Sequence, residues 1–420
     1  MLAEQGAERS NRSEGAENSS RQVLGGLRRP PKMILGPIRH QHHSTRVVIH
    51  QAHLVTPVDT GASGRRRLRL QKPVHLARLF AIELPGPGHR MSSSLPGPAT
   101  SGSSRSPSVK VLFIAGSGRS GSTLLCQVLG EIDGFFCAGE LSDSWDRSVI
   151  ENRLCACGEA FRTCKVWSRI VEEGSVDTTP AHAESAATLR AQVALTQHLP
   201  LLLAPPTRAL MQGRLVRYMS VLGPLYNGIR TGTGARVVVD SSKFPSYGWI
   251  LGHVPGIELY VVHLVRDPRG VAFSWLRSRP PHPVLGRMVG PRFGPVGSSI
   301  RWLLRNAASE AFWGGDPLHY MLLRYEDFVN DPERSLGRIL KLVDEASSAL
   351  PAIERHRVHL GNNHIVLGNR TRFQRGDTEL RLDTEWQERI KKPHKAIVEL
   401  MTWPLMRRYG YSLRETHRVG

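Results

Sequence analysis

Gly116, Gly118, Arg119, Ser120, Gly121, Ser122 and Thr123 lie within eight residues of one another, and together they can hold a tetrahedral oxyanion. Glycines let a backbone bend tightly and approach an anion. The free N–H groups of a helix's first turn point at that anion, and the helix dipole favours negative charge there. The planar fork of an arginine suits the same geometry. Arg266 and Ser274, eight residues apart, can converge on a second anion if a strand ends at the first and a helix carries the second. Glu140 offers a carboxylate that can take a proton. Lys243 offers an ammonium that can steady a transferring oxyanion.

These groups need elements that bring them together, and the apolar pattern supplies them. Residues 111–115 form a β-favouring apolar run, and Leu124, Leu125, Val128 and Leu129 recur at helical spacing after the glycines. A buried strand, a Gly-rich turn and a helix start make a phosphate cradle. The stretch nearly fits the nucleotide loop G-x-x-x-x-G-K-[ST]. Gly116, Gly121 and Thr123 fit, while Ser122 stands where the Lys belongs, so Arg119 is the cation of the loop.

Residues 135–138 read as a second strand that ends at Gly139 and Glu140. The usual crossover returns Glu140 to the edge where the Gly-rich loop sits, which is where open α/β sheets bind ligands. Residues 236–240 form a third strand, followed by Ser241, Ser242 and Lys243, which puts Lys243 at a strand's carboxyl end. Residues 257–266 form a longer strand, with Asp267 as N-cap and Pro268 as first helical residue. Ser274 lies about two helical turns beyond Asp267. His263 alternates within this strand and reads as a packed core residue rather than a base. Residues 180–230 read as two or more helices and 280–297 as a mobile surface loop. A helix over 298–313, a strand over 319–325, a helix from Pro332 and a compact basic loop over 368–372 follow.

The chain has 420 residues, 40% of them apolar, and a formal net charge of +20. Residues 1–107 hold 16 Lys/Arg against 6 Asp/Glu, half of that excess. They lack sustained periodicity and are expected to be disordered or loosely attached. The other readings of this stretch are a tail for an anionic partner and translated leader. The domain proper is expected over 108–415. No apolar run approaches the roughly 18 residues that a membrane helix needs, and residues 1–20 are polar with four Glu, unlike a signal peptide. A cytoplasmic location is the default expectation. The five cysteines are Cys126, Cys137, Cys155, Cys157 and Cys164, an odd count that argues against a disulfide scaffold. Cys126 reads as a packing thiol. Cys155, Cys157 and Cys164 lack an adjacent fourth ligand, whereas structural zinc usually takes four. Packing or a local disulfide is the preferred reading there, and no metal is expected.

With these residues in place, the sequence resembles the sulfotransferases that use 3′-phosphoadenosine-5′-phosphosulfate (PAPS). GSGRSGSTLL at 116–125 is similar to their 5′-phosphosulfate loop, and RDPRGVAFS at 266–274 to their 3′-phosphate motif. CACGEAFRTCKVW, RYEDFVNDP and GNRTRF resemble segments of bacterial members, and the likeness covers about residues 109–411. It implies a P-loop-like three-layer α/β fold, with a central, mostly parallel sheet flanked by helices. It implies that Gly118, Arg119, Ser120, Gly121, Ser122 and Thr123 hold the phosphosulfate, and that Arg266 and Ser274 hold the 3′-phosphate. Arg370 and Arg372 would close over the nucleotide. Glu140 matches the catalytic Glu of members with glycan, lipid or tyrosyl acceptors, and Lys243 the Lys that contacts the transferred group. The product would be 3′-phosphoadenosine-5′-phosphate (PAP), and the acceptor an unidentified hydroxyl or, less favourably, an amine.

The chemistry suits these residue types in its own right. A base takes the acceptor proton, while cations and amides stabilise charge on the sulfuryl and leaving phosphate oxygens. The competing reading is a P-loop kinase or NTPase, with Asp240 ending a Walker B-like strand. The missing loop Lys and the Arg266/Ser274 pair oppose it. A charge-driven nucleic-acid-binding protein is the third reading. Against it, the core has no aromatic-basic binding signature, so no nucleic-acid partner is expected.

Overall fold

The computed structural model describes residues 108–277, 292–346 and 350–413. The expectations for residues 1–107, and for most of the 280–297 loop, lie outside the described residues.

Strand β1 (Val109–Gly116) is the centre of a five-stranded sheet. Its neighbours are β3 (Val237–Lys243) and β4 (Ile257–Val265), with β2 (Phe135–Gly139) and β5 (Tyr320–Arg324) at the edges. The order is β2-β3-β1-β4-β5, and every pairing is parallel. Residues of β1 alternate between two cores. Val111, Phe113 and Ala115 belong to one and Leu112 and Ile114 to the other. A strand covered on both faces has to read as a continuous apolar run rather than an alternating one, which is what residues 111–115 do.

Helix α1 (Ser122–Leu129) covers one face of the sheet. On the other face lie α2 (Lys165–Glu173), α3 (Pro180–Val193), α4 (Leu199–Leu203), α5 (Pro205–Leu210), α6 (Gln212–Thr233) and α7 (Pro245–Leu251), and most of their buried residues join the core of Val111 and Phe113. Beyond β4 come α8 (Pro268–Leu276), α9 (Pro295–Trp313), α10 (Tyr325–Asn330) and α11 (Pro332–Leu342). Helix α11 returns to the face of α1 through Leu336, Ile339 and Leu340. A small antiparallel sheet of β6 (Ile353–Glu354), β7 (Arg357–Leu360) and β8 (Gly376–Glu379) packs on that same face. Helices α12 (Glu385–Arg389) and α13 (Lys392–Arg408) complete the described chain. This is the expected three-layer α/β architecture with a central parallel sheet.

Parallel pairing has one consequence for the site. The carboxyl ends of β1, β2, β3 and β4 all lie on one edge; β1, β2 and β4 lead into the Gly-rich loop, Glu140 and Arg266, and β3 ends on Lys243. Three local readings change. Ser241, Ser242 and Lys243 are the last residues of β3 rather than a segment after it. Helix α9 starts three residues early, at Pro295, which fits the preference of proline for a first turn. Cys126 on α1 is paired with Cys137 on β2, with Cα atoms 5.7 Å apart. The crossover lays α1 over β2 and brings the two thiols within disulfide range, a proximity that sequence spacing does not reveal. No described helix is long and apolar enough to cross a membrane.

Candidate active site

The loop after β1 is shaped by close neighbours. Gly116 has φ 123° and Gly121 φ 89°, and a side chain at either would overlap the Leu264 carbonyl or the Tyr325 ring. Arg119 itself has φ 71°, an uncommon conformation for a residue with a Cβ that is maintained only where the surroundings impose it. Its guanidinium lies 4.6 Å over the Trp275 ring. Two polar atoms of the loop, Arg119 Nε and Ser120 Oγ, are buried without a hydrogen-bond partner among the described residues. Buried polar groups are nearly always paired, so two orphan donors in one glycine-rich loop fit a bound oxyanion. Ser122 and Thr123 open α1 directly behind them.

Glu140 and Lys243 meet across the edge of the sheet, with Lys243 Nζ donating to Glu140 Oε1 at 2.5 Å and to the Ser241 carbonyl at 2.7 Å. Like Arg119, Lys243 has a positive φ, 70°. The strand end beneath it is fixed by Asp240, which is fully buried. Asp240 Oδ1 accepts from the Ser242 amide and hydroxyl, and Oδ2 accepts from Tyr226. Ser242 Oγ in turn accepts from the Ser142 amide at 3.0 Å, two residues beyond Glu140. Asp240 thus ties β3 to the turn that carries Glu140. Its two oxygens are occupied, which counts against a Walker B role in holding a metal.

Arg119, Arg305 and Arg372 all lie close enough to Glu140 to feel its charge. Burial pushes Arg119 below its usual range, and the like charges of Arg277 and Arg370 push the same way while Glu140 opposes them. Burial brings Arg305 and Arg372 down to about 10, again opposed by Glu140. Arg305 stands 4.3 Å over the Phe244 ring and within 3.9 Å of where a Cβ on Gly118 would be. It lies on α9 with no motif to announce it, and sequence reasoning missed it, as it missed Trp275.

The end of β4 meets the Gly-rich loop through Arg266. Arg266 donates to the Arg119 carbonyl at 3.2 Å, stacks 4.7 Å from the Tyr325 ring and pairs with Asp383 Oδ2 at 3.2 Å. Asp267 caps α8 by accepting from the Arg269 amide, and Ser274 is buried on that helix. A cavity of about 250 Å³ opens beside Arg266, lined also by Tyr325, Asp383, Trp386 and Tyr411. Its walls do not include Glu140 or Lys243. From the 368–373 segment, the Asn369 amide donates to Thr123 Oγ1 at 3.3 Å. Arg370 is near enough to Arg119 to repel it. Arg372 donates to the Gly368 and Leu154 carbonyls, which makes it a tie between loops, and its Nε has no hydrogen-bond partner among the described residues.

His263 is fully buried between Asn306 Oδ1 and the Tyr320 hydroxyl, each at 2.9 Å, the packed core residue that its strand position predicts. Burial pushes its pKa down from 6.5 to about 4. Between those values the unfolded chain holds more protons than the folded one. The stability that neutral His263 contributes is therefore complete above pH 6.5 and lost as pH falls through 4. Asp240 runs the other way. Burial raises it from 3.8 to about 6, so its contribution is complete below 3.8 and fades as pH rises through 6. His263→Gln, which keeps a hydrogen-bonding group, should flatten the acid-side loss by up to about 3 kcal/mol. The measurement is urea unfolding at several pH values between 6.5 and 4. An unchanged slope would show that His263 does not carry the acid sensitivity.

Residues 112–347, more than half of the chain, match the family model described as "Sulfotransferase family". The chain belongs to the sulfotransferase family. Over 125 residues it is 30% identical to human (Homo sapiens) carbohydrate sulfotransferase 2 and 29% identical to the mouse (Mus musculus) protein of the same name. Each match covers 21% of this chain and 23% of the relative, so the chain spans about a quarter of the length of these curated relatives. Among solved structures, it is similar to the sulfotransferase domain from the curacin biosynthetic pathway, at 20% identity and a TM-score of 0.42, covering 74% of this chain and 100% of that one. Retinol dehydratase, in complex with androsterone and inactive cofactor PAP, matches at 15% identity and a TM-score of 0.30, over 73% of this chain and 82% of that one.

Proposed function

We propose that this sulfotransferase moves a sulfuryl group from PAPS to a hydroxyl group, using the edge formed by β1, β2, β3 and β4. The observation that carries the reading is the pair of orphan donors in the Gly-rich loop, Arg119 Nε and Ser120 Oγ, with a second anion motif touching that loop through Arg266. Arg119, Ser120, Gly121, Ser122 and Thr123 hold the 5′-phosphosulfate, with Gly118 letting the backbone approach. Arg266 and Ser274 hold the 3′-phosphate, and Arg370 and Arg372 border the nucleotide. PAPS supplies an activated sulfuryl group on a phosphate that leaves without its proton.

The chain's own residues do the rest. Glu140 takes the proton of the acceptor hydroxyl as its oxygen bonds to sulfur and the bond from sulfur to the phosphate oxygen breaks. Lys243 and Arg119 bear the negative charge on the sulfuryl oxygens, and Arg305 adds field from α9. Holding donor and acceptor in line is itself a large part of the rate. The stretch shared with carbohydrate sulfotransferase 2 supports a sugar hydroxyl as the first acceptor to try.

A thermal-shift comparison separates this reading from a P-loop NTPase. PAP at about 100 times its Kd should add roughly 2.7 kcal/mol and raise Tm without Mg²⁺, whereas ATP with Mg²⁺ should not. Transfer from labelled PAPS to extracted glycans, read by mass spectrometry, then identifies the acceptor. Stabilisation by ATP with Mg²⁺ and none by PAP would overturn the assignment.

A further inference from the structure

Cys155, Cys157 and Cys164 are free thiols, and the fold brings a fourth donor to them from 200 residues away. Their sulfurs and a ring nitrogen of His364 all lie within 4.8 Å of one another. Cys164 Sγ is 3.7 Å from Cys157 Sγ, 3.8 Å from Cys155 Sγ and 3.3 Å from His364 Nδ1, and Cys155 Sγ is 3.8 Å from the same nitrogen. A tetrahedral zinc with bonds of about 2.3 Å to sulfur and 2.0–2.1 Å to nitrogen separates its ligand atoms by about 3.6–3.8 Å. A disulfide would bring two sulfurs to about 2.05 Å, and thiols that merely pack have no reason to share an imidazole nitrogen. The three thiols are not joined by a disulfide, and the sequence expectation of packing or a local disulfide had no fourth ligand in view.

The surroundings hold these donors in place. A short hairpin closed by Leu154 and Ala160 carries Cys155 and Cys157, and Cys164 is the N-cap residue of α2. Trp167 donates to the His364 carbonyl at 2.7 Å, and Arg375 donates to the Ala156 and Cys157 carbonyls at 3.2 and 2.9 Å. Such outer partners orient metal ligands. We infer that Cys155, Cys157, Cys164 and His364 bind one structural zinc ion, closed by four protein ligands.

Its place in the fold gives it a task. Just past His364, Val366 pairs with both Gly139 at the end of β2 and Cys155 in the hairpin. Two residues further, a Cβ on Gly368 would stand 3.4 Å from both Glu140 Oε1 and Thr123 Oγ1. Zinc therefore staples the segment that borders Glu140 and the first turn of α1. Zinc binding does not depend on the donor proposed above; its effect on nucleotide binding does.

The test uses the full chain, purified under reducing conditions and offered equimolar zinc chloride. Elemental analysis should give one zinc per chain, and X-ray absorption should give three sulfur neighbours and one nitrogen. His364→Cys should keep the ion with four sulfurs, while Cys157→Ser should lose it. Should the serine variant fail to fold, the wild-type spectrum and His364→Cys still decide. Removing zinc with a chelator should lower Tm and weaken PAP binding roughly 10-fold, a coupling of ordinary size. A wild-type chain that stays metal-free, or a peptide map with a disulfide among the three thiols, would overturn the site. Zinc bound with no effect on PAP affinity would overturn the stapling role. A chain that takes up zinc but never binds PAP would sustain the metal site and overturn the donor instead.

Discussion

Glu140→Gln should slow sulfuryl transfer by about 10²-fold or more, as expected for the loss of a positioned base, while PAP binding stays near wild type. The carboxylate lies at the end of β2, on the edge shared with the Gly-rich loop, and Lys243 Nζ is 2.5 Å from one of its oxygens. Glutamine keeps the shape and an oxygen for Lys243 but cannot take the acceptor's proton. The nucleotide contacts proposed for Arg119, Ser120, Arg266 and Ser274 do not involve this side chain. If anything, removing a negative charge near Arg119, Arg305 and Arg372 favours the anionic ligand slightly. The assay pairs calorimetric binding of PAP with single-turnover transfer to the acceptor found by mass spectrometry. Transfer by the variant at close to the normal rate would remove Glu140 from the mechanism. His263 is then a poor substitute, since it is buried between Asn306 and Tyr320 and does not reach the edge of the sheet.

Most of the frame that positions Glu140 was legible in the residues. Strands buried on both faces advertise themselves as apolar runs, and β1, β3 and β4 did. Glycines before a helical pattern fixed the loop, and Asp267-Pro268 fixed the start of α8. The rule that parallel strands share a carboxyl edge then gathers Glu140, Lys243 and Arg266 from the sequence alone. What escaped was contact between distant segments without local signature. Arg305 is one of two arginines on α9, with no motif around it. Trp275 follows Ser274 in the motif but reads as core until Arg119 is seen against its ring. His364 is separated from Cys164 by 200 residues, so nothing in the spacing of the cysteines points to it. Cys126 and Cys137 lie 11 residues apart, yet only the packing of α1 over β2 brings them together. Asp383 stands in a stretch with no motif, and its pairing with Arg266 depends on how the chain returns after β8.

Arg266→Ala or Ser274→Ala should weaken PAP binding far more than binding of its 3′-dephospho counterpart, adenosine 5′-phosphate. A charge-assisted hydrogen bond is worth roughly 1.5–3 kcal/mol, about 10- to 150-fold in Kd, and that loss should be confined to the ligand with the 3′ group. Arg266 is set for this work: the Trp302 indole donates to its carbonyl at 3.0 Å, and Tyr325 lies under its guanidinium. It is also held by Asp383 at 3.2 Å, so a 3′-phosphate has to compete with that carboxylate for the same fork. Asp383→Asn should therefore tighten PAP binding while leaving the dephospho ligand nearly unchanged, the opposite sign from Arg266→Ala on the same axis of discrimination. Calorimetry with both nucleotides on the wild type and on each of the three variants reads the four affinities that matter in each comparison. Equal weakening of the two ligands by Arg266→Ala and Ser274→Ala would show that the pair supports the loop next to Arg119 without reading the 3′ group.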